Sequence, residues 1–102
     1  PVVVLTNRRC YSAANDFVQK VSPLPLVTTL GDRTGGGSGL PFSSELPNGW
    51  AVRFSSSPML DVSGQSTEFG IDPEIAVSLS DADKERGFDT LIERAKQELL
   101  RE

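Results

Sequence analysis

Apolar positions near the start of the chain predict a strand, a helix and a second strand. Val2–Thr6 reads VVVLT, an unbroken and largely β-branched run of the kind found in strands covered on both faces of a sheet. From Ser12 the apolar residues follow the spacing of one helix face, and Pro23 ends that pattern. Leu26–Leu30 is the next apolar run, so the segment predicts a βαβ unit with two parallel strands.

The pattern then changes to a glycine-dense loop, a hairpin and a final helix. Gly31–Gly39 reads GDRTGGGSG, and two alternating segments, Leu40–Leu46 and Trp50–Ser56, flank a Pro-Asn-Gly turn. Trp50 falls on the face of this hairpin that we expect to be buried. The range Ile71–Leu79 holds a short strand, and apolar residues at helical spacing predict a helix over Phe88–Leu99. The predicted fold class is α/β.

Composition narrows the domain organisation and the chemistry. The chain has 102 residues, a net charge of −4, one cysteine and no histidine. This charge disfavours nucleic-acid binding, and one cysteine without histidine argues against a metal site; we predict no cofactor. No apolar run approaches the roughly 20 residues of a membrane-spanning helix. Because the chain opens on a strand apolar at nearly every position, we expect residues 1–102 to form one partial domain whose sheet continues elsewhere.

Ser12 is the first candidate for chemistry, because it stands where a buried strand gives way to a helix. Free backbone N–H groups and the positive end of the helix dipole at such a place can hold an oxyanion. Serine is also a favoured helix N-cap, so a purely structural role is the main alternative. The G-x-S-x-G pattern of α/β-hydrolases is absent around it.

Three other features have functional and structural interpretations. The glycine loop could hold an anion, but it lacks G-K-[ST] and could equally be a flexible connector. Glu68 precedes a predicted strand and could orient a base, although a loop carboxylate is its default interpretation. Cys10 has no histidine partner anywhere in the chain, so a small half-buried side chain is the simpler role.

Five segments carry a family resemblance. They are VVVLTN with YSAAND, GDRTGGGSG, LPNGWAV, EFGIDPEI and DTLIERAKQELL. In this order they resemble the carboxyl half of the catalytic domain of the C-terminal processing (tail-specific) serine peptidases, in particular the branch that includes tricorn-like proteins and interphotoreceptor retinoid-binding protein. The resemblance covers nearly the whole chain and implies part of a crotonase-like or Clp-protease-like spiral core with a βαβ unit, a β-hairpin and a C-terminal helix.

The resemblance also implies residue roles. Ser12 matches the nucleophile, the backbone N–H of Ala13 matches one oxyanion donor, and Glu68 best matches a carboxylate that assists a histidine base. The implied activity is that of a serine endopeptidase that processes polypeptide substrates. Family peptidases commonly carry export signals, which favours a periplasmic or cell-envelope location.

Departures from the family pattern leave an alternative open. In the processing branch a lysine base comes from the glycine loop, and Gly37 stands at that position. Lys20 lies two helical turns from Ser12, too far to reach its hydroxyl. The base is therefore expected upstream of Pro1, and we predict that the isolated chain is inactive and pairs with the missing half of the domain or with another copy. The alternative is a non-catalytic ligand- or peptide-binding domain on the same fold.

Overall fold

Two small sheets and three helices make up residues 1–101, the part of the chain that the computed structural model describes. In chain order the elements are β1 (Val2–Thr6), α1 (Ala13–Val21), β2 (Val27–Gly31), β3 (Pro41–Glu45), β4 (Ala51–Ser55), β5 (Ile75–Ala76), α2 (Asp81–Glu85) and α3 (Thr90–Leu100). Within that range, every helix is too short or too polar to cross a bilayer.

The predicted βαβ unit is confirmed. Strands β1 and β2 pair in parallel, with Val2 opposite Val27 and Thr6 opposite Gly31, and β5 adds in parallel on the other side of β2. The second strand begins one residue later than its apolar pattern indicates. Helix α3 packs on β1 and β2. Gly31 has no room for a side chain, because a Cβ there would overlap the backbone carbonyl oxygen of Thr6.

Local sequence signals explain the two C-terminal helices. Asp89 caps α3, since its carboxylate accepts hydrogen bonds from the N–H groups of Leu91 (2.8 Å) and Ile92 (3.2 Å). This agrees with the predicted final helix. The short helix α2 was not predicted, because five residues are too few for an apolar period to emerge. Ser80 caps it by accepting from the Asp83 N–H at 3.1 Å.

The expected cover of β1 by another part of the domain stays a prediction, whereas the expected burial of Trp50 is wrong within residues 1–101. Strand β1 lies at the edge of its sheet and pairs only with β2 within residues 1–101; Val2 is 54% exposed and Leu5 38%. The hairpin of β3 and β4 forms as predicted, but Trp50 beside it is 69% exposed. Apolar patterning indicates which face of an element tends to be buried. Whether that face is buried depends on another element packing against it.

The chain exposes more surface than a compact domain of its mass. Its accessible surface is 7331 Å² for 11.0 kDa, against about 5600 Å² for a typical folded protein of that size. The radius of gyration is 17.1 Å, against about 13 Å for a compact domain of this length. The buried apolar side chains within residues 1–101 are Val18, Leu30 and Ala95. Few apolar side chains are therefore buried, and much apolar surface stays exposed.

Candidate active site

Ser12 immediately precedes α1 in a strained backbone conformation. Its φ is 57° and its ψ is −116°, whereas a capping serine ordinarily has an extended backbone with negative φ. A positive φ costs free energy for a residue with a Cβ and is found where function needs a particular side-chain direction. The Ser12 side chain makes no capping hydrogen bond to the helix. The capping alternative therefore finds no support in the geometry, and the hydroxyl remains available.

Hydrogen bonds of the Ser12 backbone hold this conformation in place. Its N–H donates to the Gly36 carbonyl at 2.8 Å, and its carbonyl accepts from the Asp16 N–H at 2.9 Å. The next residue, Ala13, is the first of α1, and its N–H has no acceptor among residues 1–101. A free N–H at the positive end of a helix dipole can receive a developing negative charge. The oxyanion role of the Ala13 N–H stays a prediction.

The glycine-rich segment is a structured part of the fold. The Gly35 N–H donates to the Cys10 carbonyl at 2.9 Å, and the Gly37 N–H donates to the Glu68 carbonyl at 2.8 Å. At its far end, the Gly39 carbonyl accepts from the Ser56 N–H at 2.9 Å. The segment therefore joins the start of α1, the hairpin and the Glu68 region. The flexible-connector interpretation is wrong for this loop.

Ser12 and Glu68 line the same cleft, which has a volume of about 380 Å³. Pro41, Arg53 and Ser55 of the hairpin form its other wall. Glu68 is half-buried, and its carboxylate accepts a hydrogen bond from the Ser55 hydroxyl at 3.3 Å. Two of the residues singled out from the sequence, separated by 56 positions, are thus brought to one concave surface.

Tyr11 occupies the space beside Gly37, the position that matches the family lysine. Gly37 has a φ of +76°, and a Cβ placed on it would overlap the Tyr11 ring. A lysine there would need both a different backbone and a displaced ring. Lys20 is exposed on α1, about 12 Å along the helix axis from Ser12. Neither position provides a basic group at the Ser12 hydroxyl.

Asn15 is the residue at this site that sequence reasoning missed. It is fully buried, and its amide Nδ2 donates to Ser38 Oγ at 2.5 Å and to the Thr67 carbonyl at 3.0 Å. Its Oδ1 accepts from Thr34 Oγ1 at 2.5 Å, which in turn accepts from the Ile71 N–H at 2.7 Å.

This amide ties three chain segments together. Asn15 lies one helical turn after Ser12, Ser38 belongs to the glycine loop, and Thr67 directly precedes Glu68. The network therefore sets where the serine and the carboxylate stand relative to each other. The sequence signal for Asn15 is its position three residues before Val18, which places a polar side chain on the buried face of α1.

Two other titratable side chains, Cys10 and Asp61, lie outside the cleft. Cys10 is a half-buried free thiol, in agreement with the structural interpretation. Asp61 lies in an exposed turn, where hydrogen bonds from the Ser63 hydroxyl and the Gln65 N–H lower the pKa of its carboxyl. Residues 1–101 hold no cluster of three His, Cys, Asp or Glu side chains suited to a metal ion.

The fold and the cleft together define a class of protein. It is a mixed α/β protein with an exposed serine at a helix N-terminus and a carboxylate in the same cleft. Comparison with known families agrees, because the model of peptidase family S41 matches residues 1–77. The chain belongs to peptidase family S41. The predicted resemblance and the mixed α/β fold are both confirmed.

Solved structures extend this comparison. A candidate peptidase from Parabacteroides merdae is 64% identical over 99% of this chain, with a TM-score of 0.95. The tricorn protease matches 95% of this chain at 22% identity (TM-score 0.78), and the photosystem II D1 C-terminal processing protease matches 76% at 23% identity (TM-score 0.62). These two matches show a shared fold. The comparison with curated proteins found no match.

The chain corresponds to a part of each of these proteins. It spans 32% of the Parabacteroides merdae protein, 10% of the tricorn protease and 20% of the D1 processing protease. The chain is therefore a peptidase-related domain that corresponds to part of each longer protein.

Proposed function

We propose that this chain carries the nucleophile of a serine endopeptidase of the C-terminal processing type, acting on polypeptides. The observation that carries the proposal is Ser12, held at φ 57° with its hydroxyl free of any capping bond and facing a cleft that also contains Glu68. Strained serines at strand-to-helix turns are a recurrent way to present a nucleophile. A serine that served only as a cap would have the ordinary capping geometry instead.

The proposed reaction assigns a step to each group. Ser12 Oγ attacks the carbonyl carbon of the scissile peptide bond, and its proton passes to a general base. The carbonyl π electrons move to the oxygen, which becomes the oxyanion and accepts a hydrogen bond from the Ala13 N–H. Collapse of this intermediate expels the amine, which takes the proton from the base. Water then hydrolyses the acyl-enzyme by the same steps.

The base in this scheme is a histidine outside residues 1–102, since the chain contains none. Glu68 would orient that histidine and stabilise its charged form. Its carboxylate is half-buried and accepts a hydrogen bond from the Ser55 hydroxyl, which suits this role. The Tyr11 ring beside Gly37 supports this scheme over a Ser-Lys dyad. Lysine is absent from the glycine loop, and the space it would need is filled.

A second candidate function is peptide binding without catalysis. Because Gly37 lacks the lysine of the processing branch, a peptide-binding domain without catalysis is the competing proposal. Membership of family S41 and the shared fold of the D1 processing protease support the peptidase.

A periplasmic or cell-envelope location is proposed from the family resemblance. Fractionation of cells, with an antibody to the native protein, tests it.

A fluorophosphonate probe separates the two functions. We expect the native protein to be labelled at Ser12 and to cleave peptides, and Ser12→Ala to do neither. Ser44→Ala, which removes an exposed hydroxyl on the face of β3 turned away from the cleft, is the matched control and keeps both properties. Because Ser12 makes no capping bond, Ser12→Ala should lower stability by less than the ~1 kcal/mol that a lost cap costs.

The contrary result is equally clear. A folded native protein that resists the probe and binds peptides without cleaving them would establish the binding domain. A Ser12→Ala variant that still cleaves would remove Ser12 from the mechanism.

A further inference from the structure

The hairpin turns a polar face toward the cleft. In its register Pro41 is opposite Ser55 and Ser43 is opposite Arg53, so these residues share one face. The other face carries Phe42 and Phe54, whose ring centroids are 5.7 Å apart. Pro41, Arg53 and Ser55 all line the cleft that contains Ser12. Arg53 thereby places a permanent positive charge in the wall of that cleft.

Arg53 has no carboxylate partner within residues 1–101. The ion pairs in that range involve Arg33, Arg94, Lys96 and Arg101. Glu68 lines the same cleft, yet its carboxylate accepts from Ser55 instead. Ser55 lies two residues from Arg53 on one face of β4, a separation of about 7 Å. The cleft is thus lined by a carboxylate, that of Glu68, and by a guanidinium, that of Arg53.

We propose that Arg53 is a specificity-determining residue that binds a carboxylate of the polypeptide substrate. This inference rests on the proposed function of Ser12 and names the substrate class of its cleft. A guanidinium group presents paired N–H donors whose geometry matches a carboxylate. Glu68 repels a second carboxylate, so an anionic group in the cleft binds more favourably beside Arg53. An extended peptide places alternate side chains on one face at a similar spacing of about 7 Å.

The carboxylate can come from either of two places in a peptide: an Asp or Glu side chain, or the chain's C-terminus. Both present the same chemistry to Arg53. Internally quenched decapeptides separate them. One set scans a single Glu, or its Gln twin, through every position around the cleaved bond, and the other compares a free C-terminal acid with its amide.

The test compares Arg53→Gln with the native protein on these peptides. We expect the preferred carboxylate peptide to lose about tenfold to a hundredfold in kcat/KM, and its uncharged twin to change by less than about threefold. Arg53→Lys should retain part of the preference, since it keeps the charge and loses the fork. Arg86→Gln, an equal change of charge at the end of α2 and away from the cleft, is the control and should leave both peptides unchanged.

Failure of this inference is distinguishable from failure of the proposed function. Fluorescence anisotropy with the same peptides on Ser12→Ala, with and without Arg53→Gln, measures recognition without cleavage. Loss of carboxylate selectivity in the double variant supports the role of Arg53 even if the probe never labels Ser12. Labelling and cleavage with equal kcat/KM for the carboxylate and uncharged twins would overturn it while the peptidase stands.

Discussion

Replacing Asn15 by alanine tests the network that positions the site. The substitution removes three buried hydrogen bonds: two from Nδ2, to Ser38 Oγ and the Thr67 carbonyl, and one from Thr34 Oγ1 to Oδ1. Ser38 and Thr34 can rotate their hydroxyls, and the Thr67 carbonyl keeps its second donor, the Gly70 N–H at 3.2 Å. At about 1 kcal/mol for each bond, the expected loss is about 3 kcal/mol.

The measurement is the free energy of unfolding of the native protein in urea. Asn48→Ala is the matched control, because Asn48 makes one exposed turn contact, from the Trp50 N–H at 3.1 Å. It should cost no more than about 1 kcal/mol. We also expect Asn15→Ala to slow fluorophosphonate labelling of Ser12 under conditions in which the protein remains folded, because the segment before Glu68 is no longer tied to α1.

The reasoning would be refuted by equal losses in the two variants. A variant of Asn15 that was strongly destabilised but labelled at the native rate when folded would show a structural network with no influence on the site. Asn15→Asp adds a second check, because a buried carboxylate would have to replace an amide donor at the Thr67 carbonyl.

Two further predictions concern the cleft and the isolated chain. Gly39→Ala places a Cβ 2.5 Å from Ser55 Cβ and 2.8 Å from a Glu68 carboxylate oxygen, so fluorophosphonate labelling of Ser12 should fall. Gly64 is the control, because it has open space around it and a φ of +85°. Gly64→Ala should lower stability by about 1 kcal/mol and leave labelling unchanged. Equal labelling of the two variants would contradict this. The 102-residue chain alone should self-associate in gel filtration and hydrolyse no peptide, because β1 offers an unpaired edge and the base is missing. A cooperatively melting, active monomer would contradict it.

Local patterns were sufficient for the elements. The unbroken apolar run of Val2–Thr6, the helical spacing after Ser12 and the turn between β3 and β4 each predicted an element that the structure contains. Such signals act over a few residues, since backbone geometry and side-chain period are local properties. The short helix α2 lies below that length, and its Ser80 cap is the local sign that would have found it.

Site membership was predictable only through the family resemblance. Nothing local to Glu68 indicates that it shares a cleft with Ser12, 56 residues earlier, or that Arg53 faces the same cleft. The sequence does not single out Asn15, because one polar residue in a short helix forms no pattern. Its partners lie 19, 23 and 52 residues away in the chain.

By itself the sequence determined the order of strands and helices, the parallel βαβ unit and the residue types available for catalysis, because these depend on neighbours a few positions apart. The tertiary structure decided the rest. The positive φ of Ser12 is held by the Gly36 carbonyl, the cleft is assembled from the hairpin and the Glu68 segment, and Trp50 stays exposed. Each of these depends on contacts between segments far apart in sequence, and the apolar period of a segment carries no information about which distant segment will meet it.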